Sequence, residues 1–299
     1  VESLVLLTND GTLPLRSAPA RLAVVGPNAD RSAALMGCYS FVNHVLAHHP
    51  GTPDGIELPT VADALAEAFP QADVVRAEGC PVEGDDRSGF AAARDAVQGA
   101  DVAVVVVGDQ AGLFGRGTVG EGNDAQSLAL PGVQRELVED LVATGTPVVL
   151  VVITGRPYEL GWALDGDGPR PAAVLQAFFP GEEGGRAIAD VVSGAVSPSG
   201  RLPVSLPRTA GAQPYRYLQP VLGGPSDVTS TDPTPVRPFG FGLSYTTFTT
   251  TDLEVDAEAP TDGVLTVGVT VENTGDVAGA TVVQLYGHDV VASLPRPVA

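Results

Sequence analysis

Between about residues 17 and 208, apolar positions alternate between short unbroken runs and stretches of helical spacing. The runs are Arg21–Val25 ending at Gly26, Asp101–Val107, Pro147–Ile153 and Ala172–Phe178. They are rich in β-branched residues and show no polar alternation, the pattern of strands covered on both faces of a mostly parallel sheet. Asp73–Arg76 reads as a further strand. Helices are predicted over Thr60–Phe69, Gly89–Gln98, Pro131–Val142 and Glu182–Val192. In the first, Val61, Leu65 and Phe69 share a face, and Thr60 with Asp63 makes a capping-box-like start. In the third, proline occupies the first turn. Strand and helix alternate throughout, so residues 17–208 are expected to form an open α/β sandwich.

The flanking segments read differently. Residues 1–16 combine an apolar stretch, the turn Thr8-Asn9-Asp10-Gly11 and Leu13-Pro14-Leu15, a linker arriving from an upstream domain. Residues 209–237 are rich in Pro, Gly, Ser and Thr without periodicity, a long loop or linker. From 238 onward polar and apolar residues alternate over Thr246–Val255, Val264–Glu272 and Ala280–Tyr286. This predicts part of an all-β, immunoglobulin-like sandwich over 238–299, with three or four of the roughly 7 strands such a fold needs. Val1 opens in the middle of an element, and Ala299 follows without a closing one. An excerpt of a longer polypeptide is expected.

Charge narrows the partners. The 299 residues carry 36 acidic and 16 basic side chains, a net charge of −20. Nucleic-acid binding needs basic surface and is not expected. No run of apolar residues is long enough to cross a membrane. Two cysteines, Cys38 and Cys80, are too few for a disulfide framework; they leave room for a single bridge but read first as unpaired buried thiols.

Candidate chemistry concentrates after the Asp101–Val107 strand. The long loop from Gly108 to Leu130 is glycine-rich and carries Glu121 between Gly120 and Gly122. Loops leaving the C-terminal ends of buried strands are where α/β proteins place functional groups. Flanking glycines let the backbone bring that carboxylate close to a ligand. Loop position alone favours a solvated surface glutamate. His44 and His48 have i, i+4 spacing, and His49 adjoins them; His288 is the fourth histidine. Without a cysteine or close glutamate, and with Pro50 ending any helix, a polar loop or pocket lining is preferred to a metal site. The Gly26-Pro27-Asn28 loop lacks the three-glycine dinucleotide pattern, and Pro27 removes an N–H that a phosphate cradle would use. No cofactor is expected.

Several ordered blocks resemble the C-terminal half of glycoside hydrolase family 3, the β-glucosidase and β-xylosidase family. They are Glu2–Leu15, Val24-Val25-Gly26-Pro27-Asn28-Ala29, Gly120-Glu121-Gly122-Asn123-Asp124 with Leu128–Gln134, and Thr154-Gly155-Arg156-Pro157. Pro180–Gly185, Pro198–Pro203 and Phe239–Thr246 follow in the same order. The last resembles the entry into that family's fibronectin type III-like domain.

The resemblance implies a retaining exo-β-glycosidase acting on β-linked oligosaccharides or aryl glycosides. Glu121 matches the general acid/base position, and the nucleophilic Asp is expected in an N-terminal barrel on the same polypeptide or a partner chain. Such an acid must hold its proton near neutral pH, through burial or a neighbouring negative charge. Asp109, Asp124, Glu182 and Glu183 are carboxylates within the chain that could substitute, but the resemblance places the nucleophile elsewhere, and Glu182 and Glu183 read as a helix N-terminus. Arg116 and Phe114 are placed to contact sugar hydroxyls or a ring face, or else to anchor the loop, and Tyr39 to line the cleft. Arg156 is expected to fix its own turn, and Trp162 to pack. The Phe114–Gly117 and Gly37–Phe41 segments lean toward xylose over glucose. The competing class is a non-catalytic carbohydrate-binding or accessory module of the same fold.

Overall fold

The computed structural model describes residues 1–49, 51–210, 227–228, 230, 232–260 and 262–287. Six strands in these residues form one sheet in the order β1-β6-β5-β4-β2-β3. They are β1 Val5–Asn9, β2 Arg21–Val25, β3 Asp73–Ala77, β4 Val102–Gly108, β5 Val148–Ile153 and β6 Ala173–Gln176. All neighbours pair in parallel except β1, which runs antiparallel to β6 at one edge. Val5–Asn9 lies in the segment read as a connection, yet Leu4 to Leu7 are wholly buried or nearly so.

The unbroken apolar runs follow from helices covering both faces. Ala103, Val105 and Val107 join one core with Ala93 and Val97 of α2 (Phe90–Val97) and Leu137 and Leu141 of α3 (Gln134–Val142). Val102, Val104 and Val106 join the other with Val61 and Leu65 of α1 (Val61–Ala68). Ile188 and Val192 of the last helix, Gly184–Ser193, complete that second core. A strand buried this way gains nothing from polar alternation. The capping box of α1 is present: Thr60 Oγ1 accepts from the Asp63 N–H at 3.0 Å, and Asp63 accepts the Thr60 N–H in return.

α3 begins at Gln134, three residues later than proline at 131 suggests. Gly132 has φ +60° and sits against the Gly84 and Val82 carbonyls, so the chain cannot be helical there. Trp162, in the short helix α4 (Gly161–Leu164), packs on the core with the Arg135 guanidinium 5.3 Å from its ring centroid. With α4 counted, the last helix Gly184–Ser193 is α5. Cys38 is half-buried rather than buried, and both thiols are free. Burial pushes the Cys80 thiol up to about 11.

Beyond the α/β body, β7 (Phe248–Val255) and β8 (Val267–Asn273) form a two-stranded antiparallel sheet. Ala280–Tyr286, expected as a third strand, has no ladder partner among the described residues. Its Val282, Val283 and Leu285 are more than half exposed, so its alternation has no face to bury. Side chains hold it instead: Arg201 donates to Thr281 Oγ1 at 3.0 Å, and Gln284 to the Gly240 carbonyl at 2.9 Å. Most of the 209–237 loop, together with His288, lies outside the described residues.

Candidate functional site at the β4 loop

The chain visits β3 and then crosses back over β2 to β4, so strand order reverses between β2 and β4. Open α/β sheets bind ligands at such a reversal, beyond the strands' C-terminal ends. Here the β2 and β4 loops meet: Asn28 Nδ2 donates to the Asp109 carbonyl at 3.0 Å. β4 ends at Gly108, with φ +136°, where a β-carbon would lie 1.9 Å from the Ile153 carbonyl oxygen of β5. Buried Gln134 closes the loop's base. Its Oε1 accepts the Gly108 N–H at 2.7 Å, and its Nε2 donates to the Gly108 and Val82 carbonyls, each at 2.9 Å.

The loop folds back on itself. Thr118 N donates to Gln110 O, Gly112 N to Val119 O and Phe114 N to Glu121 O at 2.8–3.0 Å. Buried Asn123 crosslinks it from inside, donating to the Gly112 carbonyl and accepting the Gly115 N–H, both at 2.9 Å. Glu121 projects from the crown between Gly120 (φ +125°) and Gly122 (φ +74°) and is exposed. A β-carbon at 120 would sit 1.9 Å from the Gly112 carbonyl oxygen, so glycine is required by both space and φ.

Tyr39, 82 residues away in sequence, donates its hydroxyl to Glu121 Oε2. The segment that carries it is knotted by Asn43, whose side chain donates to the carbonyls of Ala33, Met36 and Gly37. The His44 ring meets Tyr39 edge-on at 5.8 Å. Phe114 is 72% exposed, with φ +53°, and packs beside Gly122. Arg116 points away to His48, its Nη1 lying 3.0 and 3.2 Å from the two ring nitrogens. Arg116 also lines a cavity of about 310 Å³ together with Val42, Leu46 and Thr52. The structure thus joins Tyr39, Phe114 and Glu121 at one point and sets Arg116 beside it, against the histidine segment. His44 and His48 are spent on ring and guanidinium contacts.

The scaffold beneath the loop escaped sequence reading. Asp109 is fully buried; its Oδ1 accepts from Thr118 Oγ1 at 2.6 Å and Tyr158 Oη at 2.5 Å, and its Oδ2 from Gly155 N at 2.9 Å. Burial, and then this carboxylate, push the Tyr158 phenol far above its ordinary value. With its oxygens so engaged, Asp109 is not placed to attack a substrate. Asp124 is exposed on the loop's descending limb, and Glu182 and Glu183 are exposed just before α5. Arg156 donates from Nη1 to the Thr118 carbonyl and from Nη2 to the Asn123 carbonyl, reaching beyond its own turn.

The Tyr39–Glu121 contact can be tested in this chain alone. A carboxylate accepting the phenol's proton stabilises the neutral phenol, so Tyr39 ionises above the usual pH of about 10. The phenolate absorbance difference between the chain and its Tyr39→Phe variant isolates this titration. Glu121→Gln should move its midpoint downward; an unmoved midpoint would show that the two groups do not meet.

An α/β domain that presents the carboxylate of Glu121 on an internally hydrogen-bonded loop at the reversal of its strand order is the class defined by fold and site. The family model for the glycosyl hydrolase family 3 C-terminal domain matches residues 4–245. A β-xylosidase of Formosa agariphila is 36% identical over 302 residues, covering 99% of this chain and 40% of that protein. A periplasmic β-glucosidase of Salmonella typhimurium is 38% identical over 324 residues, again with 99% and 40% coverage. Among solved structures, a β-glucosidase involved in saponin metabolism from intestinal bacteria superposes with a TM-score of 0.84 at 31% identity, covering 98% of this chain and 44% of that one. A Listeria innocua β-glucosidase in complex with isofagomine gives 0.81 at 31% identity, covering 99% and 40%. This chain belongs to glycoside hydrolase family 3, as its C-terminal domain. It spans about 40% of the length of these curated relatives.

Proposed function

We propose that this chain supplies the general acid/base, Glu121, of a retaining exo-β-glycosidase whose nucleophilic Asp resides in an N-terminal barrel. The observation that carries the reading is Glu121 itself. It stands exposed on an internally crosslinked loop at the sheet's reversal, with Tyr39 on one carboxylate oxygen. A retaining mechanism needs two carboxyl groups about 5–5.5 Å apart. Glu121 protonates the leaving oxygen while the nucleophile attacks the anomeric carbon, and its carboxylate then takes a proton from the incoming water. Because Glu121 is exposed here, the facing carboxylate and the wall that excludes water come from the barrel side. Tyr39 and Phe114 line the cleft beside Glu121, and Arg116, turned toward His48, reaches sugar hydroxyls from the flank, with xylosides and glucosides as the substrate class.

The test is complementation. The 299-residue chain alone should leave aryl β-xylosides and β-glucosides intact, and the polypeptide that adds the barrel should hydrolyse them. Robust turnover by the chain alone would mean that the nucleophile lies inside it.

A further inference from the structure

The Glu121 loop is crosslinked from within by Asn123, but those bonds do not attach it to the sheet. Two groups at the end of the neighbouring strand β5 do. Gly155 presents its N–H to Asp109, and a β-carbon there would come within 3.0 Å of Val119, so the loop lies directly on this turn. Arg156 follows, and its two terminal nitrogens reach two different carbonyls, Thr118 O and Asn123 O. These carbonyls lie three residues before Glu121 and two after it. One planar fork therefore holds both legs of the turn that carries the carboxylate. A lysine ammonium keeps the charge but has no rigid fork to span two acceptors.

The geometry points to Arg156 as the positioning residue of the acid/base loop, holding Glu121 at its height over the sheet from the adjacent strand end. This rests on the reading of Glu121 as the acid. Arg156 touches backbone and not substrate, so its loss acts through the placement of Glu121. Misplacing a reacting group by about 1 Å can cost about 10²-fold. The cost falls on substrates that need proton donation. A dinitrophenolate leaves without help, whereas an alkoxide does not.

The test compares Arg156→Lys with Glu121→Gln in the barrel-bearing polypeptide, on alkyl and dinitrophenyl β-glycosides. Arg156→Lys is expected to lower kcat/KM for the alkyl substrate about 10²-fold and to leave the dinitrophenyl substrate within a few-fold. Free guanidinium should restore part of the alkyl activity to Arg156→Ala. Equal losses on both substrates, with the split intact in Glu121→Gln, would overturn the positioning role and leave the acid standing. No split in Glu121→Gln would overturn the acid itself.

A second arm needs no barrel. In the 299-residue chain, Arg156→Lys should speed amide exchange at Gly112, Phe114 and Gly115 about ten-fold, the equivalent of one lost hydrogen bond, with β4 and β5 unchanged. Unchanged loop exchange sinks the proposal whatever the enzyme does. Should neither Arg156 variant fold, Asn123→Ala loosens the carbonyl that Arg156 holds, and the same substrate split is expected; an unaltered ratio there overturns the proposal.

Discussion

Glu121→Ala in the barrel-bearing polypeptide should lower kcat/KM for alkyl β-glycosides and disaccharides by roughly 10²–10⁴-fold, the usual worth of general acid catalysis. Dinitrophenyl glycosides should lose far less in kcat/KM, because that parameter reports the first step and their leaving group needs no proton. Their kcat should still fall. The second step loses its base, the glycosyl-enzyme accumulates, and KM drops with kcat. Azide needs no deprotonation to attack, so it should raise kcat and yield the β-glycosyl azide with configuration retained. Folding should be preserved, since the Glu121 side chain is exposed and bonded to Tyr39, itself exposed. Initial rates across a leaving-group series decide the matter. Equal losses on good and poor leaving groups would remove Glu121 from the acid role and leave Tyr39, Phe114 and Arg116 as lining around some other group.

The sequence made some of this legible and hid the rest for physical reasons. The central strands could be read because a strand buried on both faces has no polar position. Val102–Gly108 and Val148–Ile153 are buried at every residue. β1 could not, because Val5–Asn9 is a short edge strand whose partner, β6, lies more than 160 residues away. Glu121 was visible through its glycines, whose left-handed backbone and close carbonyl contacts leave no room for a side chain. The groups that fix it were not. Asp109, Arg156 and Gln134 sit on three separate segments, and the bonds that tie the loop and its base to the β5 turn and α3 span 26 to 49 residues. No local period or spacing announces such bonds. Tyr39 was placed in the cleft by its strand-end position alone; its partner 82 residues on could only be seen once β2 and β4 lay side by side.

The same long-range network sets the second large effect, on stability. Asp109→Ala should destabilise the 299-residue chain by about 2 kcal/mol or more. It strands two buried donors, the Tyr158 and Thr118 hydroxyls, and takes the acceptor from the N–H of Gly155, an exposed residue. Each buried donor left without an acceptor costs about 1–3 kcal/mol. Against this, the alanine removes the cost of holding a charge away from water, which keeps the total toward the lower end of the sum. Asp109→Asn separates the two contributions. Its carbonyl oxygen can keep the Thr118 and Tyr158 hydroxyls, but its NH₂ then faces the Gly155 N–H, donor against donor. That variant should lose about 1 kcal/mol, the low end of the penalty for an unmade bond, because Gly155 is exposed. Urea unfolding of the three proteins with a common m-value checks the order wild type, Asn, Ala. The loss should also reach the loop, because Thr118 links Asp109 to Gln110 N at 2.9 Å and offers its carbonyl to Arg156. In the barrel-bearing polypeptide, Asp109→Asn should therefore reproduce part of the leaving-group split of Arg156→Lys. An alanine variant that unfolds within about 1 kcal/mol of wild type would mean that the buried carboxylate is not what fastens the Glu121 loop to the sheet.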